Sequence, residues 1–339
     1  MRFLLKLGLI LTILLIATSI LIPPAYKLTF PRQPGPIMEP HLRTNHLEYI
    51  DINYPQIVLL GDSTLNLGID QESLAKQTRK SVYSMGTPGS ASALWYLLLK
   101  NNIIDAKVKP QYVVVVFRDA ILTAPGYRVQ GSYFEVIDEY AQRNEPVFIE
   151  KSFTNLMNPL ERIADKYLPL YVTRAQIRRN IDARIRYLAP PILGCDRTCV
   201  DYALGELFLG ADLEPGALVD AVGAAESYLY TPNQLDFDAQ IERSFLPDMI
   251  ALTKENDIEL VFVRIKVETI TTTDAPELNS YLVDLRTYLK SQEVVLLDYG
   301  EDPRLTHEYF RDVIHLNEEG KTLFTQMVAE GLNEITSKK

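Results

Sequence analysis

Five short runs of apolar, largely β-branched residues recur along this chain, at Ile57–Leu60, Ser81–Met85, Tyr112–Phe117, Ile258–Ile265 and Val294–Leu297. Stretches with helical spacing lie between them, such as Ser92–Asn101 and Leu278–Leu289. Strands that alternate with helices predict a parallel sheet covered on both faces, because each crossover helix must pack back onto the sheet it leaves. With 339 residues, 47% of them apolar, the chain can bury the core such a sheet needs. The alternation breaks between about residues 120 and 245. That stretch reads as a mainly helical insertion between the third and fourth strands, placed to cap the carboxyl edge of the sheet. Within it Ile177, Ile181, Ile185 and Leu188 fall on one helical face, and five arginines lie between Arg174 and Arg186. The arginines read as a solvated face, with an acidic polymer or lipid headgroups as the alternative partners.

From Phe3 to Ile22 the only charged residue is Lys6. Twenty residues rising about 1.5 Å each give a helix roughly 30 Å long, the thickness of a bilayer's hydrocarbon core. The reading is a transmembrane anchor over residues 1–24, with a cleaved signal peptide as the alternative. Arg2 and Lys6 precede the span and keep the short N-terminus cytoplasmic, so the rest of the chain is expected outside. The proline-rich segment that follows reads as an extracytoplasmic stalk over residues 25–48, and the folded domain is expected over 49–336.

A net charge of −10 excludes a phosphate backbone as partner, since no dense basic face offsets it, and no nucleic acid is expected. The two cysteines, Cys195 and Cys199, are disulfide candidates in an oxidising compartment, and two reduced thiols are the alternative. Without a histidine nearby they make a poor zinc site, and no metal is expected.

The first apolar run ends on Gly61-Asp62-Ser63. In an open parallel sheet the carboxyl ends of the strands border the ligand crevice, so Ser63 would open a helix at that rim. Free backbone N–H groups and the helix dipole favour developing negative charge there. The position suits a nucleophile, although Asp62 or Ser63 acting only as a helix cap is the alternative. A serine nucleophile needs a base. The segment "FRDVIHLN" supplies one, with Asp312 three residues before His315 and a helix starting near Asn317. A carboxylate at that spacing can accept the imidazole Nδ1–H and leave Nε2 free to take the serine proton. Of the four histidines, His41 and His46 lie in or beside the stalk, and His307 has no acid three residues before it.

"GDST" at Gly61–Thr64 and "DVIHLN" at Asp312–Asn317 resemble the first and last blocks of the SGNH hydrolase family, also called GDSL esterases and lipases. The resemblance implies a three-layer, doubly wound, flavodoxin-like α/β fold of about five parallel strands. It also implies a catalytic triad of Ser63, His315 and Asp312, and no cofactor. Gly86 in "VYSMGTPGSA" looks like the second block, whose N–H would join that of Ser63 in an oxyanion hole; a plain turn glycine is the alternative. The third block departs from the family, which has Gly-x-Asn where this chain has Arg118 and Asp119 in "VVVVFRDAILT". Either the hole lacks its asparagine donor, or Arg118 supplies a charged one, or Arg118 binds a carboxylate or phosphate of the substrate.

Membrane-anchored relatives with a large insertion are similar to proteins that modify extracellular polymers, such as alginate-type O-acetylation proteins and the D-alanyl-transfer proteins of teichoic acids. The resemblance therefore implies a serine esterase or O-acyltransferase acting on acyl groups, acetyl foremost, of a cell-surface polysaccharide or cell-wall polymer. That glycan and a membrane-bound acyltransferase are the implied partners. A catalytically inactive glycan-binding or assembly subunit and a phospholipase-like enzyme are the alternatives.

Overall fold

The computed structural model describes residues 2–38, 42–174, 176–177, 227–268 and 276–337. In chain order the elements are α1 (Arg2–Ala25), α2 (Asn45–Asn53), β1 (Ile57–Gly61), α3 (Ser63–Gly68), α4 (Gln71–Thr78) and β2 (Val82–Gly86). They continue with α5 (Ser92–Leu98), β3 (Tyr112–Phe117), α6 (Ser132–Tyr140), α7 (Pro146–Ser152) and α8 (Pro159–Tyr167). After the undescribed stretch come α9 (Phe237–Ile241), α10 (Leu246–Glu255), β4 (Glu259–Arg264), α11 (Pro276–Ser291), β5 (Val295–Asp298) and α12 (Glu318–Ser337). They form two compact units, Met1–Pro36 with Leu156–Ala225, and Ile37–Asn155 with Glu226–Lys339.

The larger unit holds a five-stranded sheet in the order β2-β1-β3-β4-β5, every pair parallel. Successive side chains point to opposite faces of a strand, so each strand feeds two cores. Val58, Leu60, Val113, Val115, Phe117 and Phe262 pack on one face with Trp95, Met249 and Leu285 of α5, α10 and α11. Ile57, Leu59, Val114, Val116, Val261 and Val263 pack on the other with Leu65, Leu74 and Phe324 of α3, α4 and α12. Strands buried on both sides must be apolar at every position, and β3, YVVVVF, is buried at all six of its residues. The result is the three-layer α/β arrangement expected from the sequence. The strand order reverses between β1 and β3, and the crevice at that reversal is where such sheets bind ligands.

In the smaller unit α1 is long and apolar enough to cross a membrane over Leu5–Ala25. It runs through Pro23 and Pro24, and the chain closes the end with Tyr26 N–H to Ile22 O at 3.0 Å and Leu28 N–H to Pro23 O at 2.8 Å. Two features fall within the segment read as a stalk over 25–48. Arg32 and Gly35 are tied to Asp165 of α8, and α2 already begins at Asn45. Proline spacing signals the absence of regular structure but not the absence of tertiary bonds. The described parts of the insertion between β3 and β4 are mainly short helices joined by turns. Ile181, Ile185, Leu188, Cys195, Cys199 and the four arginines from Arg178 to Arg186 lie outside the described residues, as does His41.

Candidate active site

Ser63 is the first residue of α3, directly beyond β1. Gly61 is required for that tight entry, since a Cβ there would lie 2.7 Å from Leu65 Cβ and 3.0 Å from the carbonyl oxygen of Val116. Asp62 caps the helix: its Oδ1 accepts the Thr64 N–H at 2.8 Å and the Thr64 hydroxyl at 2.7 Å. The capping role and the nucleophile role thus fall on neighbouring residues, Asp62 turned inward and Ser63 turned toward the rim.

His315 arrives from the other end of the chain, in the loop before α12. The loop is braced by Asn317, whose Nδ2 donates to Glu308 O at 2.7 Å and whose Oδ1 accepts the Gly320 N–H at 2.9 Å. Gly320 lets the loop lie against the helix, because a Cβ there would stand 2.3 Å from Tyr309 O. The result is a three-member relay. Ser63 Oγ lies 2.8 Å from His315 Nε2, across 252 residues of sequence, and His315 Nδ1 lies 2.9 and 3.0 Å from the two Asp312 oxygens. Asp312 also accepts the backbone N–H groups of Ile314 and His315, at 3.0 and 2.9 Å. Burial pushes this carboxyl up. The hydrogen bonds from the His315 ring and the two backbone amides outweigh that push and hold it below the usual carboxylate range. It therefore stays charged wherever an imidazole titrates.

Gly86 ends β2 and pairs in register with Gly61. Its lack of a side chain is a steric requirement: a Cβ would fall 1.9 Å from Asn66 Oδ1. Asn66, one turn after Ser63, donates its Nδ2 to Gly86 O at 3.1 Å. The loop after Gly86 is stitched to β1, with Thr87 N–H and the Ser90 hydroxyl both donating to Gly61 O, at 3.0 and 3.1 Å, and Trp95 Nε1 donating to Ser90 Oγ at 2.8 Å. These bonds fix the Gly86 peptide relative to Ser63.

At the third block, Arg118 is 2% exposed and its Nε lies 3.7 Å from Asp62 Oδ2. It sits beneath the Asp62-Ser63 turn. Asp119, with φ at +42°, accepts the Tyr230 hydroxyl at 2.5 Å and Arg264 Nη2 at 2.9 Å. Arg264 in turn donates to Asp298 Oδ1 at 3.2 Å, and Arg286 holds Asp298 Oδ2 with Nε and Nη2 at 3.0 and 2.7 Å. Burial lowers the Arg264 guanidinium, but Asp119 and Asp298 more than restore it. This network joins the carboxyl ends of β3, β4 and β5.

The remaining described histidines are engaged elsewhere. His46 bonds Tyr83 at 2.7 Å, and His307 pairs with Glu268 at 2.8 Å. Asn66, Thr64 and the Asp119 network were not singled out in the sequence. Asn66 had one available signal, its place one helical turn beyond Ser63. Among the described residues no cluster of histidine, cysteine and acidic groups could hold a metal ion.

No family model matches the sequence, and no curated protein matches it. Solved structures do. A GDSL-like lipase from Bacteroides thetaiotaomicron is 12% identical, with 86% of this chain and 98% of that one covered, at a TM-score of 0.38. A protein named as an acylhydrolase, from Bacteroides fragilis, is 12% identical, with 84% and 89% covered, at a TM-score of 0.39. Likenesses this distant say nothing of substrate. The chain's own coordinates are more informative. They set a serine directly after the first strand and a histidine and acid before the last helix, on a parallel sheet in the order β2-β1-β3-β4-β5.

Proposed function

We propose that the chain is a membrane-anchored serine esterase or O-acyltransferase that acts on acyl groups of an extracytoplasmic glycan. One observation carries the catalytic part: Ser63 Oγ, His315 and Asp312 form an unbroken hydrogen-bonded relay, 2.8 Å at the first link and 2.9 Å at the second. Asp312 accepts the Nδ1–H and so selects the tautomer in which the Nε2 lone pair faces the serine hydroxyl.

The steps follow from that polarity. His315 Nε2 removes the Ser63 proton as Oγ bonds to the ester carbonyl carbon, and the carbonyl electron pair moves onto oxygen. The N–H groups of Ser63 and Gly86 are assigned as the donors to that oxyanion, which such donors stabilise more than the ground-state carbonyl. The tetrahedral centre collapses, the alcohol leaves with the proton held by His315, and an acyl group remains on Ser63. Water or a second hydroxyl then gives its proton to Nε2 as its oxygen bonds to the acyl carbon, and Nε2 returns that proton to Ser63 Oγ as the acyl–Ser63 bond breaks. Water makes the protein an esterase, and a sugar hydroxyl makes it a transferase. Arg118, buried with its guanidinium 3.7 Å from the Asp62 carboxylate, is assigned to the turn that presents Ser63 and not to the substrate.

The glycan and the extracytoplasmic location rest on α1 and on the resemblance of a membrane-anchored serine enzyme to envelope-modifying proteins. A fluorophosphonate probe tests the chemistry on the full chain. Wild-type protein is expected to label, Ser63→Ala to lose labelling, and its turnover of a small acetyl ester to fall by on the order of 10⁴-fold or more. Labelling that persists in Ser63→Ala sinks the assignment of the nucleophile. A wild type that binds acylated glycan without labelling is a non-catalytic subunit instead.

A further inference from the structure

Helix α8 is built inside out for a protein surrounded by water. It starts firmly: Asn158 Oδ1 accepts the Glu161 N–H at 2.9 Å, Glu161 returns the bond to Asn158 N–H at 2.9 Å, and Pro159 follows the cap. Its acid then points inward. Asp165 is 6% exposed and is bound by Arg32 Nη1 at 2.8 Å and Gly35 N–H at 2.8 Å, while the Arg32 N–H donates to Lys166 O at 3.1 Å. Its apolar residues point out. Leu160, Ile163 and Tyr167, which share one face at helical spacing, are 77%, 57% and 52% exposed. Leu156 before the helix, at 52%, extends the row. A surface helix in water normally shows the opposite arrangement.

Where this helix is fastened says what covers it. Its polar side is bonded to Arg32 and Gly35, and Arg32 is seven residues beyond Ala25, the end of the apolar helix α1. Seven residues span at most about 24 Å, so α8 is tethered close to one end of the only described helix able to cross a membrane. The residues of α1 are themselves exposed along its length, among them Leu9, Ile10 and Ile13 at 62%, 57% and 57%. Lys166, with its Nζ over the Tyr167 ring at 5.2 Å, supplies the cation and ring that sit at the boundary between lipid and water.

We propose that α8 lies in the interfacial layer of the same bilayer that α1 crosses, with Leu160, Ile163 and Tyr167 in the lipid and Asp165 turned to the chain. Two points of attachment then fix the smaller unit on the membrane: one spanning helix and one lying flat. This inference is independent of the catalytic reading, and fluorophosphonate labelling does not bear on it.

The test uses the full chain in phosphatidylcholine–phosphatidylglycerol vesicles, with tryptophan placed at single positions. The one native tryptophan, Trp95, is fully buried and gives a constant background. Leu160→Trp and Ile163→Trp are expected to lose most of their added emission when the lipid carries brominated acyl chains, and Arg162→Trp on the opposite face is expected to keep its own. Leu14→Trp in α1 reports the anchor and is expected to be quenched as well. Three results overturn the proposal. Leu160→Trp and Ile163→Trp quenched by aqueous iodide and not by bromolipid would place the helix in water. The same residues dark to both quenchers would place it under protein, from residues 178–226 or a second copy. An unquenched Leu14→Trp would remove the anchor on which the geometry depends.

Discussion

Two polar constellations share the carboxyl edge of the sheet, and they satisfy their charges in different ways. Around β3, β4 and β5 the charges close on one another: Asp119 meets Arg264, Arg264 meets Asp298, and Asp298 meets Arg286. The Asp119 and Arg264 side chains are 0% and 3% exposed. At the end of β1, by contrast, the relay from Asp312 through His315 stops at Ser63, a partly exposed residue. A buried charge without a partner is severely destabilising, so the first set is closed and static. A nucleophile must keep one bond unmade, so the second set is open at its far end. The same edge therefore separates residues that hold the strands together from the residues of the proposed catalytic relay.

The comparison breaks most visibly at Asp312. Asp312→Asn preserves the size of the side chain and removes the charge that selects the His315 tautomer. Turnover of an acetyl ester is expected to fall by on the order of 10³- to 10⁴-fold, with the urea unfolding midpoint nearly unchanged. Equal losses in activity and stability would place Asp312 among the structural charges. Arg264→Ala should behave in the opposite way. It leaves Asp119 buried without its guanidinium partner, and a loss of about 3–5 kcal/mol in unfolding free energy is expected by urea titration. A stability loss below about 1 kcal/mol would mean the network is dispensable to the fold.

Much of this was legible because it is local. The five strands are runs that apolar, β-branched residues announce without help, and each observed strand falls within a residue or two of its sequence signal. Ser63, Asp312 and His315 could be named as candidates because two short motifs carry them, and the structure brings the three within hydrogen-bond distance. What the sequence could not show is pairing between distant segments. Nothing near Arg118 indicates that it turns under Asp62, or near Asp119 that its partners are Tyr230 and Arg264, at separations of 111 and 145 residues. The departure from Gly-x-Asn was visible, but its meaning required coordinates: both residues are drawn into buried ion pairs. The same limit hid the bond between Asp165 and Arg32, which turns part of a proline-rich stalk into a docking point.

Asn66 sharpens the boundary between the two constellations, because it belongs to the open one without touching the relay. Its bond to Gly86 O orients the peptide plane of a proposed oxyanion donor. Asn66→Ala is expected to lower kcat by about 10- to 100-fold, the scale of a small misplacement of a catalytic group, with KM little changed. Fluorophosphonate labelling of Ser63 should slow in proportion. A pure rise in KM would mean that Asn66 binds substrate and does not position the hole.

The smallest effect contrasts two histidines, one in the proposed relay and one enclosed. His46 is held between the Tyr83 and Tyr140 hydroxyls, at 2.7 and 3.3 Å, and its ring stacks on Tyr140 at 5.6 Å. Burial first, and the Arg43 charge second, lower its pKa from the ordinary 6.5. The unfolded chain therefore binds a proton more readily than the folded one, and acid favours unfolding. His46 should contribute its full stability above about pH 6.5 and lose it as the pH falls toward its lowered folded value. The slope is a fraction of the one-proton limit of about 1.4 kcal/mol per pH unit, reduced by water at the partly open ring. In His46→Gln the decline of the unfolding midpoint below pH 6.5 should be shallower than in wild type, while the pH profile of ester turnover keeps its shape. A turnover profile that moves with His46 would couple this enclosed ring to His315 and erase the distinction between them.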